Sequence, residues 1–139
     1  MRHLLLLDTC TVIYLLGGKR MAKAAYAAMD GAVDAGEPLF LSPISAWEIG
    51  NLARKGRFDY PHAPQVWLEQ LRAMPGVEFC ELSPGILLGS SFLPGTLGTK
   101  DPADRIIAAT AREFGYTVMT RDESLLDYGR QGHLSVLEC

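Results

Sequence analysis

Cysteine and histidine are scarce in this chain, and the few that occur form no recognisable pattern. Its 139 residues include three cysteines and three histidines. The cysteines are odd in number and widely spaced, which argues against a disulfide framework and against a zinc knuckle (Cys10, Cys80, Cys139). The histidines are scattered and lack the spacing of zinc ligands. A reducing, cytoplasmic environment is therefore the simple expectation.

Long apolar runs and an excess of positive charge are also missing. No apolar run reaches the ~18 residues of a membrane span, so no membrane segment is expected. The first apolar stretch is interrupted by Asp8, which argues against a signal peptide. The net charge of -3 disfavours a protein that coats nucleic acid by bulk electrostatics. A nuclease remains compatible, because bound metal would offset acidic charge at its site.

Short apolar runs alternate with amphipathic stretches along the chain. Strands are predicted at about 2–7, 38–41, 77–82, 117–120 and 134–137. Helices are predicted after Thr9 and at about 21–35, 45–55, 64–73, 85–92, 102–114 and 124–128. This alternation predicts an α/β fold with a mostly parallel sheet and helices on both faces. The length and the 48% of hydrophobic residues suit a single domain over residues 1–139.

Four acidic residues occupy points where these elements begin or end. Asp8 and Asp122 follow buried strands, whereas Glu48 and Asp104 lie at the beginnings of helices. Strand carboxyl ends and helix amino ends share one edge of such a sheet, so these carboxylates are expected to meet there. Crowded carboxylates repel one another unless a cation lies between them, and hard divalent ions prefer oxygen ligands. The pattern therefore predicts a metal-dependent enzyme that acts on phosphate esters.

Each acid also has a simpler structural interpretation. Ser45 and Glu48 have the spacing of a capping box, in which the glutamate side chain accepts from the amide of the cap residue. Asp101 directly precedes a proline and is the favoured N-cap of the next helix. Asp8 and Asp122 are each able to form a turn or to cap the helix that follows. Structural roles would have to hold at every one of these positions to explain the whole pattern.

The proposed chemistry requires an activated water, a stabilised phosphorus centre and a neutralised leaving oxygen. One or two Mg²⁺ or Mn²⁺ ions held by carboxylates serve all three needs. Side chains beside the acids are candidates for substrate binding: Thr9, Lys100, Arg105 and Thr120. Other cations nearby in the sequence are candidates for holding flanking phosphates: Arg54, Lys55, Arg57 and Arg121. Solvated surface charges and hydroxyls that satisfy the backbone are the alternatives.

Four short motifs that contain the acids follow one another in order along the chain. They are Leu5-Leu6-Leu7-Asp8-Thr9, Ser45-Ala46-Trp47-Glu48-Ile49, the segment 101–111, and Thr120-Arg121-Asp122. In this order and spacing they resemble the motifs of the PIN-domain ribonucleases, most closely the VapC-type toxins of bacterial toxin–antitoxin pairs. Many relatives carry a histidine shortly before the Asp-Pro pair, whereas this chain has Thr99 and Lys100 there.

The resemblance implies a three-layer α/β/α domain with endoribonuclease activity that depends on Mg²⁺ or Mn²⁺. By resemblance, the catalytic and metal-ligating residues are Asp8, Glu48, Asp104 and Asp122. An RNA substrate, a homodimer and a cognate antitoxin whose tail covers the active site are implied as well. Two alternatives remain open: a noncatalytic RNA-binding domain of the same fold, and an acidic receiver-type signalling domain. Asp8-Thr9 lacks the paired acids of a receiver domain.

Overall fold

A five-stranded parallel sheet forms the centre of the molecule, for which a computed structural model describes residues 4–99 and 101–139. The strands are β1 (Leu5–Leu7), β2 (Leu39–Leu41), β3 (Val77–Phe79), β4 (Thr117–Thr120) and β5 (Ser135–Glu138). They lie in the order β3-β2-β1-β4-β5, and every neighbouring pair is parallel. The predicted parallel sheet is confirmed. The predicted beginning of β1, before Leu4, lies outside the described residues.

Seven helices connect these strands within the described part of the chain. They are α1 (Thr9–Gly17), α2 (Lys23–Asp34), α3 (Ile44–Arg54), α4 (Pro64–Ala73), α5 (Pro84–Gly89), α6 (Pro102–Phe114) and α7 (Glu123–Arg130). The bounds predicted for α4 and α6 are confirmed, whereas α7 extends beyond the single turn that was predicted. Its eight residues bury Leu125, Leu126 and Tyr128, so packing stabilises a longer helix. None of these helices combines the length and apolarity needed to cross a membrane.

The alternating side chains of the central strands supply two separate hydrophobic cores. Leu5, Leu7 and Met119 belong to one core. Leu6 and Val118 belong to the other. Successive residues of a strand point to opposite faces of the sheet, so the two cores lie on its two sides. Because helices cover both of them, the fold is the expected three-layer α/β/α sandwich with β1 buried on both faces.

The chain changes direction across the sheet between β1 and β4. After β1 it builds β2 and β3 on one side, and it then crosses over to build β4 and β5 on the other. Leu7 pairs with Met119 in the register of β1 and β4, and the amide of Asp8 donates to the carbonyl of Met119 at 3.0 Å. In open α/β sheets the ligand crevice lies outside the strand carboxyl ends at such a switch point.

Candidate active site

Five carboxylates line one pocket at this switch point, here called the acid pocket. Its volume is about 350 Å³, and its acidic side chains are those of Asp8, Glu48, Asp101, Asp104 and Asp122. The other residues that line it are Thr9, Cys10, Ile13, Tyr14, Leu52 and Arg121. All four acids singled out from the sequence are thus brought together, and Asp101 joins them as a fifth.

Asp8 is held rigidly at the end of β1. Its side chain caps α1, with Oδ1 accepting from the amide of Thr9 at 2.8 Å. Oδ2 accepts from the hydroxyl of Thr120 at 2.7 Å and from the thiol of Cys10 at 3.4 Å. Burial raises the pKa of Asp8, and these hydrogen bonds oppose the increase. Thr120 is completely buried, so its hydroxyl orients Asp8 rather than reaching into solvent.

Glu48 is oriented by a chain of hydroxyl groups. The hydroxyl of Thr9 donates to Oε1 of Glu48, and it lies 2.7 Å from the hydroxyl of Ser45. Because Thr9 has one hydroxyl proton and gives it to Glu48, Ser45 is the donor to Thr9. Burial raises the pKa of Glu48 to about 7, and the charges of Asp8 and Asp101 add to the increase.

The capping-box interpretation of Ser45 and Glu48 is wrong. Helix α3 begins at Ile44, so Ser45 already lies inside the helix and Glu48 falls beyond its first turn. The Ser42-Pro43 pair starts the helix earlier than predicted, with the hydroxyl of Ser42 accepting from the amide of Ile44 at 3.2 Å. Glu48 therefore does not cap the helix, and its carboxylate faces the acid pocket.

Asp104 is the least supported of the acids. It lies in the first turn of α6, as predicted, with only 8% of its surface exposed. No hydrogen-bond donor reaches its carboxylate from the described residues. Burial is the main cause that raises the pKa of Asp104 to about 8, and the negative charges of Asp8 and Asp122 add to the increase. Such a buried, uncompensated carboxylate is costly to the fold unless something positive binds it.

Asp101 and Asp122 both cap helices and line the pocket. Asp101 is the predicted N-cap of α6, and its Oδ1 accepts from the amide of Ala103 at 3.0 Å. Asp122 caps α7, with Oδ2 accepting from the amide of Leu125 at 3.0 Å. Capping does not preclude ligand binding, because each carboxylate oxygen carries more than one lone pair. Both roles are therefore compatible at the same residues.

The thiol of Cys10 lies at the pocket but is chemically quiet. Burial raises its pKa to about 12, and the negative charge of Asp8 contributes next. A thiol with this pKa stays protonated at neutral pH, whereas nucleophilic cysteines are thiolates. The surroundings of Cys10 therefore argue against a role as a nucleophile.

The basic residues proposed from the sequence differ in whether they line the acid pocket. Arg105 does not line the acid pocket, and its Nε donates to the carbonyl of Ser90 at 3.0 Å. Lys100 lies outside the described residues. Three further basic side chains are exposed and stand away from the lining: Arg54, Lys55 and Arg57. Among the described residues, Arg121 is the one basic residue that lines the acid pocket.

The donor atoms of the pocket suit a hard divalent cation. They are carboxylate and hydroxyl oxygens, and the acids among them lack a neutralising partner. No group of three or more His, Cys, Asp or Glu side chains in the described ranges is arranged to hold a metal ion. Mg²⁺ usually keeps several waters and takes only one or two protein carboxylates. The pocket thus fits a hydrated Mg²⁺ or Mn²⁺ ion better than a metal enclosed by protein ligands.

Comparison with known proteins identifies the family. A model of the PIN domain matches residues 5–131. The chain belongs to the PIN-domain family. This PIN-domain protein is 32% identical over 107 residues to Ribonuclease VapC22 of Mycobacterium tuberculosis, a match that covers 77% of each chain. The family resemblance seen in the four motifs is confirmed, and the receiver-type alternative is set aside.

Solved structures share the PIN-domain architecture over nearly the whole chain. VapBC2 from Rickettsia felis, bound to a DNA fragment from their promoter, gives a TM-score of 0.67 at 15% identity and covers 97% of this chain and 98% of that one. A toxin–antitoxin complex from Klebsiella pneumoniae gives 0.59 at 23% identity, with 95% and 94% covered. At these identities the likeness establishes the fold, and it confirms the predicted three-layer sandwich.

Proposed function

We propose that this PIN-domain protein is an endoribonuclease that hydrolyses RNA phosphodiester bonds with Mg²⁺ or Mn²⁺, as the toxin of a toxin–antitoxin pair. The observation that carries the proposal is the acid pocket, where five carboxylates converge at the switch point of the sheet. Burial raises the pKa of Glu48 to about 7 and that of Asp104 to about 8, and the charges of the neighbouring acids add to both increases, which supports a site that attracts a cation. The ribonuclease relative at 32% identity supports the choice of RNA as substrate.

The metal ligands proposed are Asp8, Glu48, Asp104 and Asp122, with Asp8 and Asp104 as the direct ones. A bound divalent cation would supply an acidified water and neutralise charge on the phosphate. The protein keeps the ligands in place: Thr120 bonds Oδ2 of Asp8, and Thr9 bonds Oε1 of Glu48. Side chains fixed by such neighbours lose little freedom when a cation binds, which strengthens binding.

The assembly is part of the same proposal. Residues 1–139 form one domain that works in the cytoplasm as a homodimer and is inhibited by a cognate antitoxin whose tail covers the acid pocket. Toxin–antitoxin complexes among the fold neighbours support the antitoxin. Leu88 and Phe92, which are 67% and 78% exposed, provide apolar surface that a protein partner would remove from water.

The direct test is cleavage of RNA by the purified protein. Total RNA is incubated with the protein in Mg²⁺, in Mn²⁺ or in a chelator, and the new ends are sequenced. We expect discrete cleavage sites with either metal and none with chelator. Asp104→Asn is the matched control, because the substitution sacrifices no hydrogen bond with the described residues. A pure wild-type protein that binds RNA but leaves it intact would instead support the noncatalytic RNA-binding alternative.

A further inference from the structure

A guanidinium group is fixed at the rim of the acid pocket. The Cζ atom of Arg121 lies 4.5 Å from the centre of the Tyr14 ring. One of its Nη atoms donates to the carbonyl of Arg20 at 2.6 Å. Both Arg121 and Tyr14 line the acid pocket. Two independent contacts therefore hold this cation beside the carboxylates although its side chain is exposed.

Arg121 is positioned next to acids without being neutralised by them. It adjoins Asp122 in the sequence, yet no carboxylate of the described residues forms an ion pair with it. The hydrogen bond that it donates to Arg20 uses a single N–H group, and a guanidinium has five. The remaining donors are available to an anion that enters the pocket.

Two positively charged side chains contact the ring of Tyr14 at this rim. In addition to Arg121, the Nζ atom of Lys19 lies 5.5 Å from the centre of the same ring. Lys19 follows the left-handed turn at Gly18, where α1 ends, so the backbone directs this lysine back toward the ring. An RNA strand must bring phosphates close to a cluster of carboxylates, and cations at the rim reduce the repulsion.

Other arginines of the described chain are engaged away from the pocket. Arg105 donates to the carbonyl of Ser90, and Arg112 donates to the carbonyl of His133. Arg130 pairs with Glu123 at 2.7 Å. None of the three lines the acid pocket, which leaves Arg121 as the cation best placed to meet a substrate there.

We infer that Arg121 binds an RNA phosphate adjacent to the scissile one, and that Tyr14 acts as its positioning residue. The inference rests on the proposed ribonuclease function and names the contact that brings the substrate to the acids. A phosphate is the expected ligand because a guanidinium presents parallel N–H donors that match two phosphate oxygens. The Tyr14 ring carries Arg121 on its face, so its role is to hold the arginine rather than to stack on a base.

The salt dependence of RNA binding tests this contact separately from catalysis. Binding of a short single-stranded RNA is measured at several salt concentrations in an Asp104→Asn background, where cleavage is expected to be absent. Adding Arg121→Gln should weaken binding about tenfold at low salt. It should also reduce the slope of log K against log salt by about 0.7, the value for one lost phosphate contact on a single strand.

Arg112→Gln is the matched control, since it removes the same charge from an exposed arginine that also bonds a backbone carbonyl. It should leave both the affinity and the slope close to those of the background. Tyr14→Leu should reproduce part of the Arg121→Gln effect, whereas Tyr14→Phe retains the aromatic face and should restore binding. In the active protein, Arg121→Gln should raise KM more than it lowers kcat.

The other possible results distinguish a failure of the Arg121 phosphate contact from a failure of the ribonuclease proposal. If the wild type cleaves RNA while Arg121→Gln changes neither the salt slope nor KM, the phosphate contact is wrong. If Arg121→Gln weakens only inhibition by the antitoxin, the arginine serves a protein partner and the inference is again overturned. If the wild type is inert with both metals, the ribonuclease proposal fails, while the salt slope still decides whether Arg121 contacts RNA.

Discussion

Asp104 is, at the scale of one residue, a side chain whose placement the stability of the fold does not explain. Its carboxylate accepts no hydrogen bond from the described residues, and burial, with a further contribution from the surrounding acids, raises its pKa to about 8. A fold has no need of such a group, because burying an unpaired charge is unfavourable. Residues that lower stability in this way are characteristic of functional sites, where a ligand provides the missing compensation.

Asp104→Asn should therefore stabilise the metal-free protein and remove its activity. At pH 8 we expect a gain on the order of 1 kcal/mol in the free energy of unfolding, because a neutral amide replaces a repelled carboxylate. Urea denaturation in the presence of a chelator measures the first effect, and RNA cleavage with Mg²⁺ measures the second. A stable variant that cleaves RNA at the wild-type rate would show that Asp104 is not a ligand.

Thr9 provides a second test at the residue scale. Its hydroxyl is the link between Ser45 and Glu48, so Thr9→Val keeps the shape of the side chain and removes the link. We expect RNA cleavage to fall by about 10- to 100-fold, the usual effect of losing a group that orients a ligand. Thr9→Ser retains the hydroxyl and should keep most of the activity in the same assay. Equal loss in both variants would point to a packing role for the methyl group.

At the scale of elements, helix amino ends deliver most of the acids to the pocket. Asp8, Asp101 and Asp122 cap α1, α6 and α7 respectively, and Asp104 follows in the first turn of α6. Amides at a helix amino end carry partial positive charge, which lowers the cost of collecting these carboxylates. The two roles weighed against each other from the sequence, capping and site formation, are thus combined in the same side chains.

Substitutions at Asp101 should separate these two roles. Asp101→Ala removes the hydrogen bond to the amide of Ala103 and should lower the free energy of unfolding by about 1 kcal/mol. Asp101→Ser keeps a capping oxygen without the charge, and its stability should stay close to that of the wild type. If Asp101 is only a cap, the serine variant cleaves RNA normally. A stable serine variant that needs more metal than the wild type for the same rate of cleavage would identify Asp101 as part of the site.

Elements were predictable where the signal is local, and contacts between distant segments were not. Pro102 and Phe114 mark α6 clearly in the sequence, because a cap and a proline begin it and Gly115 ends it in a left-handed turn. The contact between Thr9 and Ser45 spans 36 residues and depends on how α1 lies against α3. The place of Tyr14 in the pocket also depends on the tertiary structure: α1 begins at the edge of the sheet where the acids meet, and Tyr14 lies in its second turn.

The whole molecule couples its stability to pH through the acid pocket. Folding raises the pKa of Glu48 from 4.5 to about 7 and that of Asp104 from 3.8 to about 8, and it also raises that of Asp8. Between the unfolded and the folded pKa values, the folded protein binds more protons than the unfolded chain. The contribution of these acids to stability is therefore fully present below about pH 4, and it is lost as the pH rises toward 8.

Divalent metal should reverse this loss, because it binds the ionised acids in place of protons. We expect the Tm of the chelated protein to fall from pH 5 to pH 8, and Mg²⁺ or Mn²⁺ to raise it more at pH 8 than at pH 6. At a hundredfold excess over Kd the gain is about 2.7 kcal/mol. Thermal unfolding followed by circular dichroism measures both trends. A Tm that metal leaves unchanged at every pH would show that the pocket binds no cation under those conditions.

The convergence of the acids around a catalytic cation is tested most directly by RNA cleavage with the purified protein across a titration of Mn²⁺. The wild type should cut RNA at discrete sites with a rate that saturates in metal, and Asp104→Asn should remain inactive at the highest concentration. Cleavage by the wild type that persists at full rate in excess chelator, or equal cleavage by the folded Asp104→Asn variant, would contradict the account.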